Sequence, residues 1–560
     1  MPGKRPCILT LLVMVAIIIS LPEDSHAGLF EQLAGSTIGV TMGNAVTAYP
    51  PRVMAIHYNP AGLTKLKGTH FENGLAYVIM DRKVRFRDAI DPATGRTWSP
   101  FGGWFNDGID PLNGRTGKIK NGYMVVPYID APLHFLIAPS MGVSRQKPGS
   151  RWTFAIGQYA PMGAGMEHDK NDPLSYLGQK GFFLRMILAA PAAAYKLTDH
   201  LSVGVSVGIG PSVLAFQSKA RAPNTMVALT GVLGDVTKGL EIPVWSELTT
   251  PPPWFNGGLN PYENLANITA FAEDYFTTSY NLGLLWEPVD WFAFGVCYQS
   301  ESEATMKGDW RFAYTEQTRR TIAWSGKTPL LLIVAGMLDL PYQYKPGQEG
   351  DVTVPFTWPQ RLQLGIMLRP TRKLRLTCDA HWTDWSVWES LQFIFDEKID
   401  QLRLARILGY KYGPDRMVID LGLENEWHFS YGLEYQVNPK LTVRMGYEPR
   451  PSSVKDEYWG PLPFADMKIY GLGITLNLEE KKKPHPKGFK ELLHQLQKPT
   501  SIDFGLEWVK MDKKVVPNNA SKNLNSTSFT NIIYAPYAGL DVTQEKFSNY
   551  VISLTQNFRW

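Results

Sequence analysis

The 560-residue sequence predicts an all-β fold, an antiparallel transmembrane β-barrel of about fourteen strands. Many segments alternate apolar and polar residues for about ten residues, the length of a tilted strand that crosses a bilayer. The connections are alternately short and long, as expected when periplasmic turns are short and outer loops are long. The chain also ends in an aromatic residue, Trp560, on the apolar face of its last segment. A soluble sandwich would explain the alternation but not the order of the connections.

The first 27 residues have the organisation of a secretory signal peptide. Residues 1–5 form a short basic segment, and residues 7–21 are almost entirely apolar. The small residues Ser25 and Ala27 follow at the two positions that a signal peptidase reads. We therefore expect cleavage after Ala27 and export of the mature chain.

The composition suits a membrane better than the mean hydropathy suggests. Mean hydropathy is -0.17, which alone would indicate a soluble exported protein. Aromatic residues make up 12% of the chain, with 17 Trp and 25 Tyr, and rings with a polar edge are favoured at membrane interfaces. The net charge of +4 is small for this length and argues against nucleic acid as a partner.

The alternation predicts which residues face lipid and which face the lumen. It is clearest in the segments 361–368, 428–437, 441–448, 501–508 and 550–560. Their apolar positions predict a lipid-facing surface, and their polar positions predict a lumen-facing one. Earlier segments, from Thr69 onward, alternate less regularly but complete an even number of strands.

The long connections are predicted to be outer loops, at 81–133, 219–263, 310–352, 397–426 and 512–548. One turn on the periplasmic side, 479–498, is also long, and it is basic. Its GFKELLHQLQK stretch predicts a short amphipathic helix. Both a solvated helix or linker and a contact with a periplasmic or inner-membrane partner are compatible with this turn.

The stretch GNAVTAYPPRVMAIHYNPAGLTKL lies between the signal peptide and the first strand, and it contains Asn59, Pro60, Ala61, Gly62 and Leu63. It resembles the N-terminal region of the FadL family, outer-membrane transporters of long-chain fatty acids and related hydrocarbons. The resemblance implies a barrel of residues 69–560, plugged by an N-terminal hatch of residues 28–68 that contains this turn. Pro60 fixes its own φ and favours an extended Asn59, and Gly62 permits a tight reversal.

The third strand carries a weaker part of the same resemblance. Its sequence QYAPMG is similar to a family Pro-x-Gly, and Pro161, Gly163 and Gly165 fall where the strand ends. Because Pro cannot donate to a sheet ladder and Gly weakens it, we expect the ladder to fail locally there. The resemblance implies that a ligand leaves sideways into the membrane at this kink, because the hatch blocks the axis. The alternative is that these three residues only mark the start of an ordinary loop.

Apolar runs on the outer loops are the candidate ligand groove. Such runs must pack together or bind an apolar molecule, and both can hold here. The resemblance implies that the third and fourth outer loops, 219–263 and 310–352, form the groove where a ligand first lands. The candidate residues are Met226, Leu229, Leu233, Trp254, Phe255, Leu331, Ile333, Val334 and Met337.

Four arginines at positions that the strand alternation directs into the lumen are candidate partners of a ligand carboxylate. They are Arg185, Arg361, Arg375 and Arg444. They could instead pair with lumen acids such as Glu434 and Asp503.

The sequence does not predict an enzyme, a cofactor or a metal site. A G-x-S-x-G pattern surrounds Ser206, but it lies within a predicted strand rather than at a strand-to-helix elbow. No HExxH motif or P-loop is present. The sequence is therefore interpreted as a passive, ligand-gated outer-membrane transporter of hydrophobic compounds, with long-chain fatty acids favoured. A hydrocarbon channel of the same fold, a lipid enzyme, and a structural or adhesive barrel are the alternatives. Outer-membrane lipid, lipopolysaccharide and the barrel-assembly machinery are the other expected partners.

Overall fold

The computed structural model describes residues 35–91, 95–100, 109–240, 249–407, 409–478, 488–528 and 535–560. The predicted signal peptide, the hatch residues 28–34 and part of the 479–498 turn lie outside the described residues.

Fourteen antiparallel strands form a closed barrel, in which the last strand pairs with the first. Five strands are interrupted, and their two segments are counted together. In chain order the strands are β1 (Gly68–Asp88), β2 (Leu136–Gln146), β3 (Trp152–Glu167), β4 (Lys180–Lys196), β5 (Leu201–Ala220), β6 (Ala266–Val289), β7 (Phe292–Gln299 and Ser302–Tyr314), β8 (Gly347–Trp358 and Arg361–Leu368), β9 (Leu374–Thr383 and Ser390–Phe395), β10 (Arg416–Asp420 and Glu426–Asn438), β11 (Leu441–Arg450), β12 (Met467–Asn477), β13 (Ser501–Met511 and Lys514–Val516) and β14 (Leu540–Arg559).

Short helices occur in the hatch and in the connections. They are α1 (Thr37–Thr41), α2 (Ala55–Tyr58), α3 (Ser175–Gly178), α4 (Thr225–Val236), α5 (Glu316–Trp324), α6 (Pro329–Met337), α7 (Asp400–Ile407) and α8 (Phe489–Leu496), with 3-10 turns at Pro60–Lys65, Trp254–Gly257, Trp385–Trp388 and Asp456–Tyr458. Within the described ranges, none of these helices has the length and apolar character needed to cross a bilayer.

The two faces of the wall follow the predicted alternation. In β1, Leu75, Tyr77 and Ile79 are exposed on the outside, whereas Glu72 and Ala76 are buried on the inside. The outer surface continues with exposed apolar residues on other strands, including Val205, Leu282, Leu472, Leu506 and Ile552. A continuous apolar outer surface of this kind suits contact with lipid rather than water.

Five short turns lie at one end of the barrel, the end that holds Gly68 and Arg559. By the usual rule this end is periplasmic. The predicted long 479–498 turn is also at this end, and the structure places α8 within it.

Several strands continue further outward than the sequence predicted. β1 runs to Asp88 and pairs there with β14, which begins at Leu540, so the connections assigned to 81–133 and 512–548 are shorter than expected. The outward face of this outer ribbon is polar, and Lys83 and Arg85 both form ion pairs with Glu545. On its inner face Val84 and Phe86 are buried, so the ribbon reverses the alternation that marks the membrane-spanning part of each strand.

Candidate functional site

The predicted hatch motif forms a buried turn inside the barrel. The Asn59 side chain donates to the carbonyl oxygens of Thr47 at 2.8 Å and Leu284 at 3.0 Å, and it accepts from the Ala61 amide at 3.1 Å. Asn59 has φ −169°, the extended conformation expected before Pro60. The turn is thus joined to the hatch and to strand β6 by one side chain.

Gly62 serves a different purpose from the one predicted. It is not among the residues with positive φ, so the reversal does not need its conformational freedom. A Cβ on Gly62 would instead lie 2.7 Å from Cβ of Pro50, so only glycine lets these two hatch segments approach. Ala61 and Leu63 are fully buried beside it.

Lumen-facing glycines of the wall make room for the hatch. A Cβ on Gly283 would collide with the Asn59 side chain, and a Cβ on Gly204 would collide with Pro60. Similar collisions with hatch residues would occur at Gly142, Gly295, Gly365, Gly446, Gly471 and Gly505. The alternation placed many of these glycines on the inner face, but it did not reveal why they are needed.

Acidic residues of the wall hold the hatch in place. Asp379 accepts from the Thr47 amide at 2.7 Å, and Glu72 accepts from the Val53 amide at 3.0 Å. Glu448 accepts from Asn44 at 3.0 Å, and Asp503 forms an ion pair with Arg52 of the hatch. The hatch is therefore fastened at several points around the barrel.

The Glu448 site resembles a metal site only in composition. His381, His428 and Glu448 lie within 4.8 Å of one another and are all buried. However, Glu448 also accepts from Arg450 at 2.6 Å and from Asn44 of the hatch. The carboxylate is already neutralised, so the cluster is interpreted as an ion-pair network.

Two of the four candidate arginines are committed to an acid. Arg375 forms an ion pair with Glu434, and Arg444 binds the other oxygen of the same carboxylate at 2.8 Å. Arg444 also donates to Thr475 at 2.6 Å. These contacts match the predicted alternative of pairing within the lumen.

Arg185 and Arg361 meet at a small polar cavity of about 60 Å³, although they lie on β4 and β8. Both are buried. Arg185 donates to the hydroxyls of Ser212 and Ser279 at 3.5 and 3.4 Å, and it forms no salt bridge with any described residue. Arg361 donates to Thr383 at 3.3 Å.

The hatch also reaches this cavity, through His57. Gln299 donates to Nδ1 of His57 at 3.2 Å, which leaves the proton on Nε2. This Nε2 has no hydrogen-bond partner among the described residues. We name the cavity between Arg185, Arg361 and His57 the arginine pocket.

A larger apolar cavity of about 160 Å³ lies further out along the same strands. We call it the outer chamber; its walls are mainly apolar and include the aromatic residues Phe182, Phe183, Phe216, Phe356, Trp388 and Phe393. Trp358 borders the arginine pocket, and its ring centroid lies 6.3 Å from that of Phe183. The two cavities are therefore separated by little more than an aromatic contact.

The sequence did not predict the outer chamber. Its residues come from strands that are far apart in the chain and meet only when the barrel closes. The available signal was the presence of aromatic residues at inward positions near the outer ends of strands, such as Phe216 and Phe393.

A buried ion pair joins the outer connections beyond the end of β5. Arg221 at the end of β5 pairs with Asp110 of the first loop, and both side chains are almost fully buried. Arg221 also donates to the carbonyl oxygen of Pro536, just before β14, at 2.6 Å. Three outer connections are thus joined at one residue.

The predicted kink in β3 coincides with an incomplete ladder. The pairing of β2 with β3 ends at Met141 and Gln158. From Tyr159 outward, β3 keeps its pairing with β4, with two register shifts, and the short strand Asn121–Gly122 joins it at Met166. Among the described residues, apolar side chains such as Leu136 and Ala160 fill this seam between β2 and β3.

Two of the three kink residues line the two cavities. Pro161 lines the arginine pocket, and Gly165 lines the outer chamber. A Cβ on Gly163 would lie 2.9 Å from the Leu184 side chain. Since proline has no amide hydrogen, Pro161 cannot donate a ladder hydrogen bond at this point of β3.

The predicted groove residues form two groups. Met226, Leu229 and Leu233 are half-buried on α4, and Trp254 and Phe255 are half-buried on the 3-10 turn packed against that helix.

In α6, Leu331 is buried, but Ile333, Val334 and Met337 are exposed, Ile333 at 60% and Met337 at 80%. Loop packing therefore accounts for the first group, whereas α6 presents an apolar surface to the outside. None of the nine candidate residues lines the outer chamber.

Ser206 of the G-x-S-x-G pattern has a structural role. It lies within β5, and its hydroxyl donates to the carbonyl oxygen of Ile56 in the hatch at 2.8 Å. Asn281 donates to the same hydroxyl at 3.1 Å. Ser206 thus helps to hold the hatch.

Known proteins are similar to this chain over most of its length. A family profile described as outer membrane protein transport protein (OMPP1/FadL/TodX) matches residues 23–485. Outer membrane protein P1 of Haemophilus influenzae is 21% identical over 529 residues, which cover 92% of this chain and 95% of that protein.

Solved structures show the same barrel. A Pseudomonas aeruginosa FadL homologue matches with a TM-score of 0.64 and 15% identity, over 95% of this chain and 100% of its own. The Ralstonia pickettii toluene transporter TbuX matches with a TM-score of 0.53 and 18% identity, over 95% and 100%. At this identity the likeness establishes the fold. Because the family profile covers most of the sequence, the chain belongs to the OMPP1/FadL/TodX family of outer membrane transport proteins.

Proposed function

We propose that this protein takes up long-chain fatty acids across the outer membrane by passive, ligand-gated transport. The observation that carries the proposal is the arginine pocket beside the outer chamber. Arg185 and Arg361 suit a carboxylate, and the aromatic chamber next to them suits an acyl chain.

The energetics of the two cavities favour an amphiphile over a wholly polar ligand. Each methylene buried in an apolar cavity contributes about 0.8 kcal/mol. A carboxylate carried inward with the chain must be paired, because an unpaired buried charge is costly. Arg185 supplies such a partner, since its present contacts are long hydrogen bonds to two serine hydroxyls.

The hatch gives the pocket a means of responding to ligand. His57 belongs to the hatch and borders the arginine pocket, so a bound carboxylate would contact wall and hatch together. A ligand that competes for these contacts would shift the hatch. Because the hatch fills the periplasmic side of the lumen, we infer that the ligand leaves through the seam between β2 and β3 beside Pro161.

A neutral hydrocarbon is the second candidate, because the outer chamber is apolar. Toluene is the ligand named for TbuX, whose barrel this chain shares. A neutral ligand would use the chamber and would gain little from the arginine pocket. The two candidates therefore differ in their dependence on Arg185.

Binding of a labelled fatty acid and of the alcohol of equal chain length to Arg185→Met separates these candidates. Methionine keeps the apolar part of the side chain but removes the charge. We expect fatty-acid affinity to fall by roughly 10- to 100-fold, since a hydrogen bond to a charged group contributes about 1.5–3 kcal/mol. The alcohol should lose much less.

Arg151→Met, at an exposed periplasmic turn, is the matched control and should leave both affinities unchanged. Equal affinity of wild type and Arg185→Met for the fatty acid would reject the carboxylate site and favour a neutral hydrocarbon.

A further inference from the structure

A groove of about 480 Å³ lies on the lipid-facing side of the wall, near the periplasmic end. We propose that this exit groove receives the apolar chain of the ligand as it leaves the lumen. The inference rests on the proposed function and adds a binding site outside the barrel. Residues of β2, β3, β4 and α8 line the groove, including Met141, Val143, Ile156, Gln158, Leu188 and Leu496.

The exit groove is continuous with the seam. Met141 and Gln158, which line the groove, are the last paired residues of β2 and β3 before the ladder ends. Tyr159 and Pro161, the next residues along β3, line the arginine pocket on the inner side. The exit groove and the arginine pocket thus border the same short stretch of β3, the groove from outside the barrel and the pocket from inside. Gln158 adds an amide at this crossing, where it can hydrogen-bond a carboxyl group.

Helix α8 closes the groove at the periplasmic rim. Trp560 has lipid-facing parity in the last strand, yet it is only 4% exposed. Its indole nitrogen donates to Gln495 of α8, and Leu496 lines the groove together with Trp560. The helix therefore lies over the outer side of the wall, so the groove is a bounded site and not merely a smooth surface facing lipid.

The occupant that fits is a single apolar chain from the lumen. The lining is mostly apolar, and one end of the groove opens at the only interruption of the β2–β3 ladder between described residues. Ordinary lipid reaches every outward face of the barrel equally. A ligand delivered through the seam would reach this face first.

Photo-crosslinking of palmitic acid with a terminal diazirine tests the proposal. The mature protein would be reconstituted in vesicles of phosphatidylethanolamine and phosphatidylglycerol, and adducts would be mapped by peptide mass spectrometry. We expect adducts at Leu188 and Leu496 to exceed those at Leu472, an exposed lipid-facing residue of β12. Adducts at Phe183 report entry into the outer chamber.

Two variants sharpen the test. Leu496→Glu should lose the adducts at Leu188 and keep those at Phe183. Leu478→Glu is the matched control, because Leu478 is exposed at the same end but does not line the groove, and it should keep both.

Equal labelling of Leu188 and Leu472 would overturn the exit groove, since it would indicate simple partitioning from the bilayer. Adducts at Phe183 without enrichment at Leu188 would also overturn it but leave the proposed function standing. Absence of adducts at Phe183 would instead contradict the proposed function itself.

Discussion

Asn59 joins the hatch to the wall through a single amide side chain. It is fully buried, and its two amide donors bind carbonyl oxygens from the hatch and from β6. Its side-chain oxygen caps the following turn. An aliphatic residue would leave two buried carbonyl oxygens without these donors. Removing one partner of a buried hydrogen bond costs more free energy than removing both, because the remaining polar group stays desolvated.

The Asn59→Ala variant should loosen the hatch without unfolding the barrel. We expect the free energy of local opening for residues 55–66 to fall by about 1–3 kcal/mol, the cost of leaving a buried polar group unsatisfied. Native-state hydrogen exchange measures this opening directly. Asn438→Ala, which removes a similar capping amide at an exposed turn, should leave hatch exchange unchanged. Unaltered exchange in Asn59→Ala would show that the hatch is held by other contacts.

The strands act on the hatch through their inward glycines. Gly283 and Gly204 lie directly against the Asn59–Pro60 turn, so the wall and the hatch touch backbone to backbone. At such close contacts the hatch cannot accommodate an added methyl group without moving. A single methyl group on the wall should therefore change the position of the hatch.

Gly283→Ala should displace the hatch, because its Cβ would collide with the Asn59 side chain. Overpacking of a tight interface costs about 1–3 kcal/mol, enough to populate an altered hatch position. We expect ion conductance in planar bilayers to rise above that of wild type. Gly336→Ala is the control, because a Cβ there meets no atom within 4 Å. Conductance equal to that of wild type in both variants would contradict a hatch held by close contact with the wall.

Helix α6 exposes the apolar side chains of Ile333, Val334 and Met337 in an outer connection, and its role is a prediction. We expect Ile333→Glu combined with Met337→Glu to slow the association of fatty acid while leaving the dissociation rate from the outer chamber unchanged. Stopped-flow binding measures both rates. Val515→Glu, at an exposed apolar position in the outer segment of β13, should change neither. An unchanged association rate in the double variant would remove α6 from ligand capture and favour a role in binding other partners.

At the scale of the whole molecule, the lumen is divided into a periplasmic part filled by the hatch and an outer part that contains the two cavities. The alternation predicted the inward positions of Arg185, Arg361 and Arg444 because each strand has a strict period of two. Arg444 and Glu434 lie opposite each other in the β10–β11 hairpin, so their pairing is local and was among the predicted alternatives. The alternation could not predict that Arg185 meets Arg361, because β4 and β8 are brought together only in the closed barrel.

The resemblance in the N-terminal segment identified the hatch turn, and the structure supplied its contacts. The outer ribbon of β1 and β14 was missed because its polar residues face outward and its apolar residues, such as Val84, Phe86 and Val542, face inward, the reverse of the membrane-spanning part. The outer chamber was missed because it is a property of the closed wall and of no single segment. Short-range patterns thus predict the faces of the strands, whereas cavities depend on the assembled barrel.

A crystal structure with palmitate brominated at its terminal carbon tests passage through the lumen most directly. Anomalous scattering locates the bromine, and electron density locates the carboxylate. We expect the carboxylate between Arg185 and Arg361 and the bromine within the outer chamber, near Phe216 and Phe393. Bromine found only outside the barrel or along α6, with both cavities empty, would contradict transport through the lumen.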